Sequence, residues 1–433
     1  MISLDMVHSA IPEVPFRETE ECLWSFNKDL WESPFPFMEL PFRQKNMDEM
    51  RLLAESLRQP EMIVLLGIGG SSLGAQAIAE ALLPPMASKH KRPMFLPLDN
   101  IDPAILKAAM ERIGDRIEKT VFIVASKSGE TSETLSQFMA FTEMVRRAGA
   151  RGSVVVIAGR KAGTLREIAE REGYPLLPIP DDVPGRYSVL TPCGLFPSLL
   201  IGVDVREILH GAADMAIHIR SKHKEENLAI ALASCLHHLT ETRKVLVLMP
   251  YCERLGLFSS WLAQLFSESL GKRGRGFTPL KAKGVTDQHS LLQLLVDGPK
   301  DKSVLFFYVE DGDVSMGDPF PYAQGLKYLR GKGIRTLFFS ELLGTRFSLW
   351  EASCPSLTIY IERLDAYAMG ALLFLFEMVT VFIAHLIQVD PFTQEGVERG
   401  KLYTRVLLGK EGLEEEKTRM EGALKGGTSI RFP

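Results

Sequence analysis

The stretch Phe122–Thr134, FIVASKSGETSET, decides how the rest of the chain is read. Its first residues form an unbroken apolar run, as a strand covered on both faces requires. Ser126, Lys127, Ser128, Gly129, Glu130 and Thr131 interrupt that run, and a helical pattern then opens with Leu135, Phe138 and Met139. A strand running into hydroxyls, one lysine and a helix start makes a compact site for a phosphate dianion. The strand end is rigid, and the helix start offers unpaired N–H groups and a partial positive charge. Small Ser, Thr and Gly residues let an anion reach the backbone. The same residues also suit an ordinary strand–loop–helix junction, because Ser and Thr commonly cap helices.

On either side the pattern repeats. Met62–Leu66, Met94–Leu98 and Val154–Ala158 read as further strands, alternating with helical stretches such as Ala75, Ile78, Ala79, Leu82 and Leu83. That order predicts an α/β fold of the doubly wound kind with mainly parallel sheets. Pro175–Gly202, rich in Pro and Gly, reads as a crossing between domains. A second series follows at Val245–Met249, Val304–Val309, Thr336–Ser340 and Leu357–Ile361. A chain of 433 residues exceeds what one core normally serves, so two domains are expected. We expect an irregular N-terminal arm over 1–50, broken by Pro12, Pro15, Pro34, Pro36 and Pro41. Domains over 51–200 and 201–409 follow, then a charged tail over 410–433.

Composition narrows the function. With 50 basic and 54 acidic residues the net charge is −4, which argues against a nucleic-acid-coating surface. An anionic ligand must then be drawn in by local charge. The five cysteines are odd in number and form no CxxC pair, which fits a reducing, cytoplasmic compartment. The start, MISLDMVHSAIPEVPF, has no basic n-region and no long apolar h-region, so export is not expected. Ala366–Val389 is long and apolar enough to span a bilayer. It carries Glu377 and His385 and lacks aromatic–basic flanks, so we expect a buried core helix and no membrane role.

Other segments carry candidate chemistry. Gly67–Gly74, GIGGSSLG, lies between a strand and a helix, where backbone can contact an anion or a sugar or simply make a tight turn with close helix packing. It is not GxGxxG, since Ser72 stands at the third glycine position, and it is not a Walker A motif. In the helical stretch Leu257–Leu270, Trp261, Leu262, Leu265 and Phe266 form the apolar side. Gln264 and Glu268, four apart, share another face. Gly271 is a natural stop, which leaves Glu268 in the last turn, where the helix dipole disfavours a carboxylate and so suits a general base; taken alone, the residue reads as an ordinary solvated helical glutamate. Asp287–Ser290 offers His289 as an acid–base group or as an ordinary surface histidine. Gly185–Ser188 and Gln394–Lys401 offer Arg186, Arg399 and Lys401 for substrate oxygens or for surface ion pairs.

Together the stretches LLGIGGSSLG, SKSGETSET, PGRYSVLTPCG, SESLGK, DQHSLLQLLVDGP and DPFTQEGVERGK resemble glucose-6-phosphate isomerases, in the family's order and along nearly the whole chain. The likeness is to the compact bacterial form. It implies two sugar isomerase (SIS) domains and reversible isomerisation of D-glucose 6-phosphate and D-fructose 6-phosphate. The family reaction runs through ring opening and a cis-enediolate, in glycolysis and gluconeogenesis. By resemblance, Ser126, Lys127, Ser128, Thr131 and Thr134 cradle the phosphate, and Ser71 lies near the sugar. Glu268 matches the base that moves a proton between C1 and C2, and Arg186 the residue that stabilises the enediolate. His289 and Lys401 match the pair implicated in ring opening, Glu133 the carboxylate that orients the histidine, and Gln264 and Gln394 residues lining the sugar. The family's histidine reaches the site from the neighbouring subunit, so a homodimer is implied.

No metal or cofactor is expected: the reaction needs none, and no HExxH or clustered His/carboxylate set occurs. The chain departs from the family at Glu395, where proline is common, and at Arg399, where leucine is common. In the SKSGET loop, Gly129 and Glu130 stand where some relatives carry bulkier or hydroxyl residues. A non-catalytic phosphosugar sensor would keep the serine–threonine loop while able to lose Glu268, Arg186 and His289, all present here. An amidotransferase would need a glutaminase domain with an N-terminal cysteine, and the first cysteine is Cys22. A wider activity that includes mannose 6-phosphate stays open.

Overall fold

The computed structural model describes residues 1–7, 9, 13–43, 45–57, 59–83, 92–150, 152–161 and 163–424. The first fifty residues are not an irregular arm. Ile2–Asp5 is a strand, β1, and the helices Glu13–Glu32 (α1) and Lys45–Ser56 (α2) follow, with a short 3-10 segment at Pro36–Phe42. Glu20, Leu23, Asn27 and Leu30 recur every three to four positions on α1 and are buried. Each fully buried leucine contributes about 1.5–3 kcal/mol. Pro34 stands between α1 and the 3-10 segment, Pro36 opens that segment and Pro41 lies inside it, Pro15 lies in the first turn of α1, and Pro12 is outside the described residues.

The first sheet arises from β2 (Met62–Leu66), α3 (Leu73–Leu82), β3 (Met94–Leu98), α4 (Pro103–Ile113), β4 (Thr120–Ser126), α5 (Ser132–Arg147), β5 (Ser153–Gly159), α6 (Thr164–Glu172) and β6 (Leu176–Ile179). Its order is β3-β2-β4-β5-β6, and every pairing is parallel. The expected crossing at Pro175–Gly202 thus contains a strand, and it ends in the helix α7 (Pro192–Leu200). Next come α8 (Val205–Ser221) and α9 (Leu228–Thr242).

The second sheet draws on β7 (Val245–Tyr251), α10 (Gly256–Leu270), β8 (Thr278–Lys281), α11 (Gln288–Asp297), β9 (Lys302–Val309), α12 (Ile334–Glu351) and β10 (Ser356–Ile361). Its order is β1-β10-β9-β7-β8, parallel except for β1, which runs antiparallel along β10. Thr336–Ser340, expected as a strand, lies inside α12. A five-residue apolar run does not distinguish strand from helix. The longer spacing does: Leu342, Thr345, Arg346 and Leu349 are buried at helical intervals. The chain continues through α13 (Ala366–Leu386), α14 (Glu395–Leu407) and α15 (Glu414–Leu424).

The two sheets share one large core. Along β2, Ile63 and Leu65 face it while Met62, Val64 and Leu66 face the outer helices. Along β7, Leu246 and Leu248 face it while Val247, Met249 and Tyr251 face outward. The long apolar segment is the core helix α13, with seventeen residues from Ala368 to Ala384 buried, and it packs on α8, α9 and α10. Gly211 and Gly370 allow the close crossing of α8 and α13. A Cβ on either would stand 1.8 Å from a backbone carbonyl of the other helix.

Candidate active site

The strands β2 and β4 are adjacent and parallel, so their carboxyl ends open side by side. After β4, the Ser126 and Thr131 hydroxyls are 2.8 Å apart and close the Lys127–Glu130 loop. Gly129 takes φ +69°, and its carbonyl accepts from the Leu165 amide at 3.1 Å. Ser128 is exposed at the tip, and its hydroxyl accepts from the Glu130 amide at 3.2 Å. Thr134 is buried in the first turn of α5, with no hydrogen-bond partner for Oγ1. Burial pushes the Lys127 ammonium below the ordinary lysine range, against the opposing pull of Asp181 and Asp182. Hydroxyls, a half-buried cation and a helix start therefore converge on one loop, as an oxyanion site requires.

After β2, the 3-10 turn Gly69–Ser71 carries Ser71 beside the same opening. This turn lies directly on the segment that holds Arg186. A Cβ on Gly70 would stand 2.3 Å from the Gly185 carbonyl carbon and 2.8 Å from the Arg186 nitrogen. The Ser188 hydroxyl spans the same contact, donating to the carbonyls of Gly185 at 2.6 Å and Gly70 at 3.3 Å.

Arg186 is the hub. Its guanidinium is fully buried and donates to Ser269 Oγ at 2.8 Å, Glu268 Oε2 at 3.2 Å, Gln394 Oε1 at 2.9 Å and the Thr393 carbonyl at 2.9 Å, and also to the Pro391 carbonyl. A buried cation needs such a complete set, because each unpaired N–H would cost about 1–3 kcal/mol. Gln264 and Glu268 share the expected face of α10, with Gln264 Nε2 donating to Glu268 Oε1 at 2.7 Å. Both oxygens of Glu268 are thus held, and a quarter of its side chain remains open to solvent. One cluster therefore unites Arg186, Gln264, Glu268 and Gln394, residues that the chain brings in from three separate segments.

Three expected residues stand outside this cluster. His289 is exposed in the first turn of α11 and its ring has no hydrogen-bond partner among the described residues. Lys401 is on α14, with Nζ bonded to Glu398 at 2.8 Å. Glu133 is half-buried in the first turn of α5.

A family model described as phosphoglucose isomerase matches residues 53–300, which include both loops, Arg186 and Glu268. The chain belongs to the phosphoglucose isomerase family. A protein called glucose-6-phosphate isomerase from Carboxydothermus hydrogenoformans is 37% identical, over 88% of this chain and 86% of its own. A relative of the same name from Methanocaldococcus jannaschii is 34% identical over 83% and 87%. Among solved structures, a hypothetical protein from Thermus thermophilus superposes with TM-score 0.86 at 32% identity, covering 94% of this chain and all of that one. A glucose-6-phosphate isomerase from Chlamydia trachomatis has the same fold, with TM-score 0.79 at 18% identity over 98% and 92%. The fold is that of SIS-domain phosphosugar isomerases.

In this phosphoglucose isomerase family member, two site residues escape a reading of the sequence. Ser269 receives Arg186 and also the Tyr187 hydroxyl at 3.3 Å. Lys272, the last residue of SESLGK, donates to the Asp390 carbonyl; burial together with the nearby Arg186 charge pulls its ammonium down to about 8. Both stand in the SESLGK stretch, the sequence signal that could have found them.

Proposed function

We propose that this chain interconverts D-glucose 6-phosphate and D-fructose 6-phosphate. The observation that carries the reading is the Arg186–Glu268–Gln264 constellation beside the SKSGET loop. An aldose–ketose shift needs one carboxylate able to reach two adjacent carbons, and Glu268, held at both oxygens, is such a group. The enediolate carries negative charge, and a preorganised guanidinium lowers its energy without reorganisation during the reaction. The phosphate is a remote handle: bound at Ser126, Lys127, Ser128, Thr131 and Thr134, it holds the reacting carbons against Glu268. Gln264, Gln394 and Ser71 line the sugar. A non-catalytic sensor would have no use for a carboxylate and guanidinium fixed at this distance.

Ring opening needs an acid and a base at the hemiacetal, and we assign it to His289 with Lys401, with Glu133 orienting the imidazole. His289 comes from the partner subunit of a homodimer. Three features support that assignment. His289 is exposed on its own subunit. Its neighbour Gln288 donates to Thr345 Oγ1 at 2.6 Å and so ties α11 to α12. On α12, Leu343, Phe347 and Trp350 form an exposed apolar stripe at helical spacing, and Val314 and Leu294 are exposed as well. Residues 51–200 and 201–409 are read as the two domains around the site. Five free thiols, four of them buried, fit a reducing compartment such as the cytoplasm.

Proton NMR of fructose 6-phosphate with the purified protein in D2O tests the reading. Glucose 6-phosphate deuterated at C2 is the expected product. Binding of fructose 6-phosphate with no isomerisation would replace the enzyme by the sensor, and mannose 6-phosphate in the same tube would broaden the substrate range.

A further inference from the structure

A second cleft, lined by no residue of the SKSGET loop, lies between the C-terminal ends of α9 and α13, is open to solvent on one side and holds about 300 Å³. That is the lower end of the range for small-molecule sites. One wall is apolar, formed by Phe277, Leu386 and Ile387. Lys244 and Arg275 bring two cations to the same lining. Neither side chain forms an ion pair among the described residues: the Arg275 guanidinium donates to the Ile387 carbonyl, and the Lys244 ammonium has no hydrogen bond there. Glu241 is the one carboxylate in the lining. It lies 3.5 Å from His237, whose imidazole burial pushes below the ordinary histidine range, against the pull of Glu241. Two unpaired cations against one carboxylate, around an apolar wall, fit a compact anion with an apolar body.

The same cleft touches the catalytic helix. Phe277 packs edge-on against Phe266 of α10, with ring centres 5.2 Å apart. Arg275 is joined to the end of that helix by its amide, which donates to the Lys272 carbonyl at 2.8 Å. Glu268 is two residues beyond Phe266 and four before Lys272. An occupant of the cleft would thus bear on both supports of the Glu268 turn.

We propose that this cleft binds a small organic anion with an apolar body, and that its occupancy alters turnover through the 272–277 segment. The second half of this proposal rests on Glu268 acting as the base; the first half does not.

The test uses 4-fluorobenzoate as probe, observed by 19F NMR with the full chain, and 4-fluorobenzamide as its neutral counterpart. Saturable broadening of the benzoate is expected. It should persist under saturating fructose 6-phosphate and weaken about tenfold in Lys244→Glu. Equal broadening of the amide, unchanged binding in Lys244→Glu, displacement by fructose 6-phosphate, or no broadening at large probe excess would each overturn the site. A change in kcat on saturating the cleft, absent in Lys244→Glu, is expected for the coupling. Binding with unchanged kcat overturns the coupling and leaves the site. If the protein lacks isomerase activity altogether, the NMR arm still decides the binding claim.

Discussion

Arg186 Nη1 and Glu268 Oε2 meet at 3.2 Å although 82 residues separate them in the chain. The contact is asymmetric. The guanidinium is buried and anchored at five points, whereas the carboxylate keeps a quarter of its surface open. A fixed cation next to a reachable base is the arrangement an enediolate reaction needs. It also commits the protein, because removing either partner leaves the other poorly compensated.

Glu268→Gln keeps the shape of the site and the hydrogen-bonding bulk next to Arg186, but it cannot accept a proton. We expect kcat to fall by about 10²–10⁴ with phosphosugar binding largely retained. Deuterium uptake at C2 in D2O checks this. Wild-type exchange in the variant would remove Glu268 from the role of base.

Arg186→Lys retains the charge but loses the fork that reaches Ser269, Gln394 and two carbonyls at once. A drop in kcat of about 10²–10³ is expected, with a lower melting temperature because the 391–394 segment loses its anchor. Steady-state kinetics with thermal unfolding checks both. Full activity at unchanged stability would contradict the hub reading.

The Lys272 ammonium is pulled from the ordinary 10.5 to about 8 by burial and by Arg186, against Asp390, Glu268 and Glu395. Between these two values the unfolded chain binds the extra proton and the native protein does not. Below about pH 8 both states hold the proton and the depressed native value costs stability in full; the cost shrinks as pH rises from about 8 to 10.5 and is absent above that. Put as a slope, stability gains from this group are negative at low pH and climb to zero as pH rises through the window, because the unfolded state binds more protons there. Activity should move the opposite way, since deprotonation removes a cation beside Arg186 and Glu268. We expect an alkaline limb near pH 8 in kcat/KM, absent in Lys272→Met, and no accompanying loss of folded protein. A limb that coincides with unfolding, or that survives in Lys272→Met, would show that another group is responsible.

If His289 acts across a homodimer, two inactive variants should rescue each other. Glu268→Gln and His289→Ala, mixed and allowed to exchange subunits, would form dimers with one intact site. Random reassortment then restores roughly a quarter of wild-type activity. No recovery despite subunit exchange, followed by mass spectrometry, would return His289 to its own subunit.

Gly70→Ala tests the contact between the glycine turn and Arg186. The added methyl would meet Gly185 backbone at 2.3 Å, a distance that forces the two loops apart. We expect a several-fold or greater loss of kcat/KM with the secondary structure intact by circular dichroism. Unchanged kinetics would mean that the turn can shift without disturbing Arg186.

Much of this was legible in the chain itself. The strands around FIVAS and MIVLL, the helical face shared by Gln264 and Glu268, and the burial of Ala366–Leu386 all follow from local periodicity. Short or mixed segments were not legible. β1, β6 and β8 are four-residue strands whose pairing depends on a neighbour already in position. Thr336–Ser340 reads as a strand until Leu342–Leu349 is seen to bury one helical face.

By itself, then, the sequence determined two alternating α/β series, a hydroxyl-rich loop at a strand end, and a glutamate four residues from a glutamine. Those features depend on neighbours within a few residues, where backbone propensity and side-chain spacing act directly. Only the tertiary structure decided that Arg186 meets Glu268, Ser269 and Gln394, that Gly70 abuts Gly185, and that Lys272 loses part of its hydration. Those relationships join segments far apart in the chain. Their energies come from burial and from hydrogen bonds between residues distant in sequence, and no local pattern encodes them.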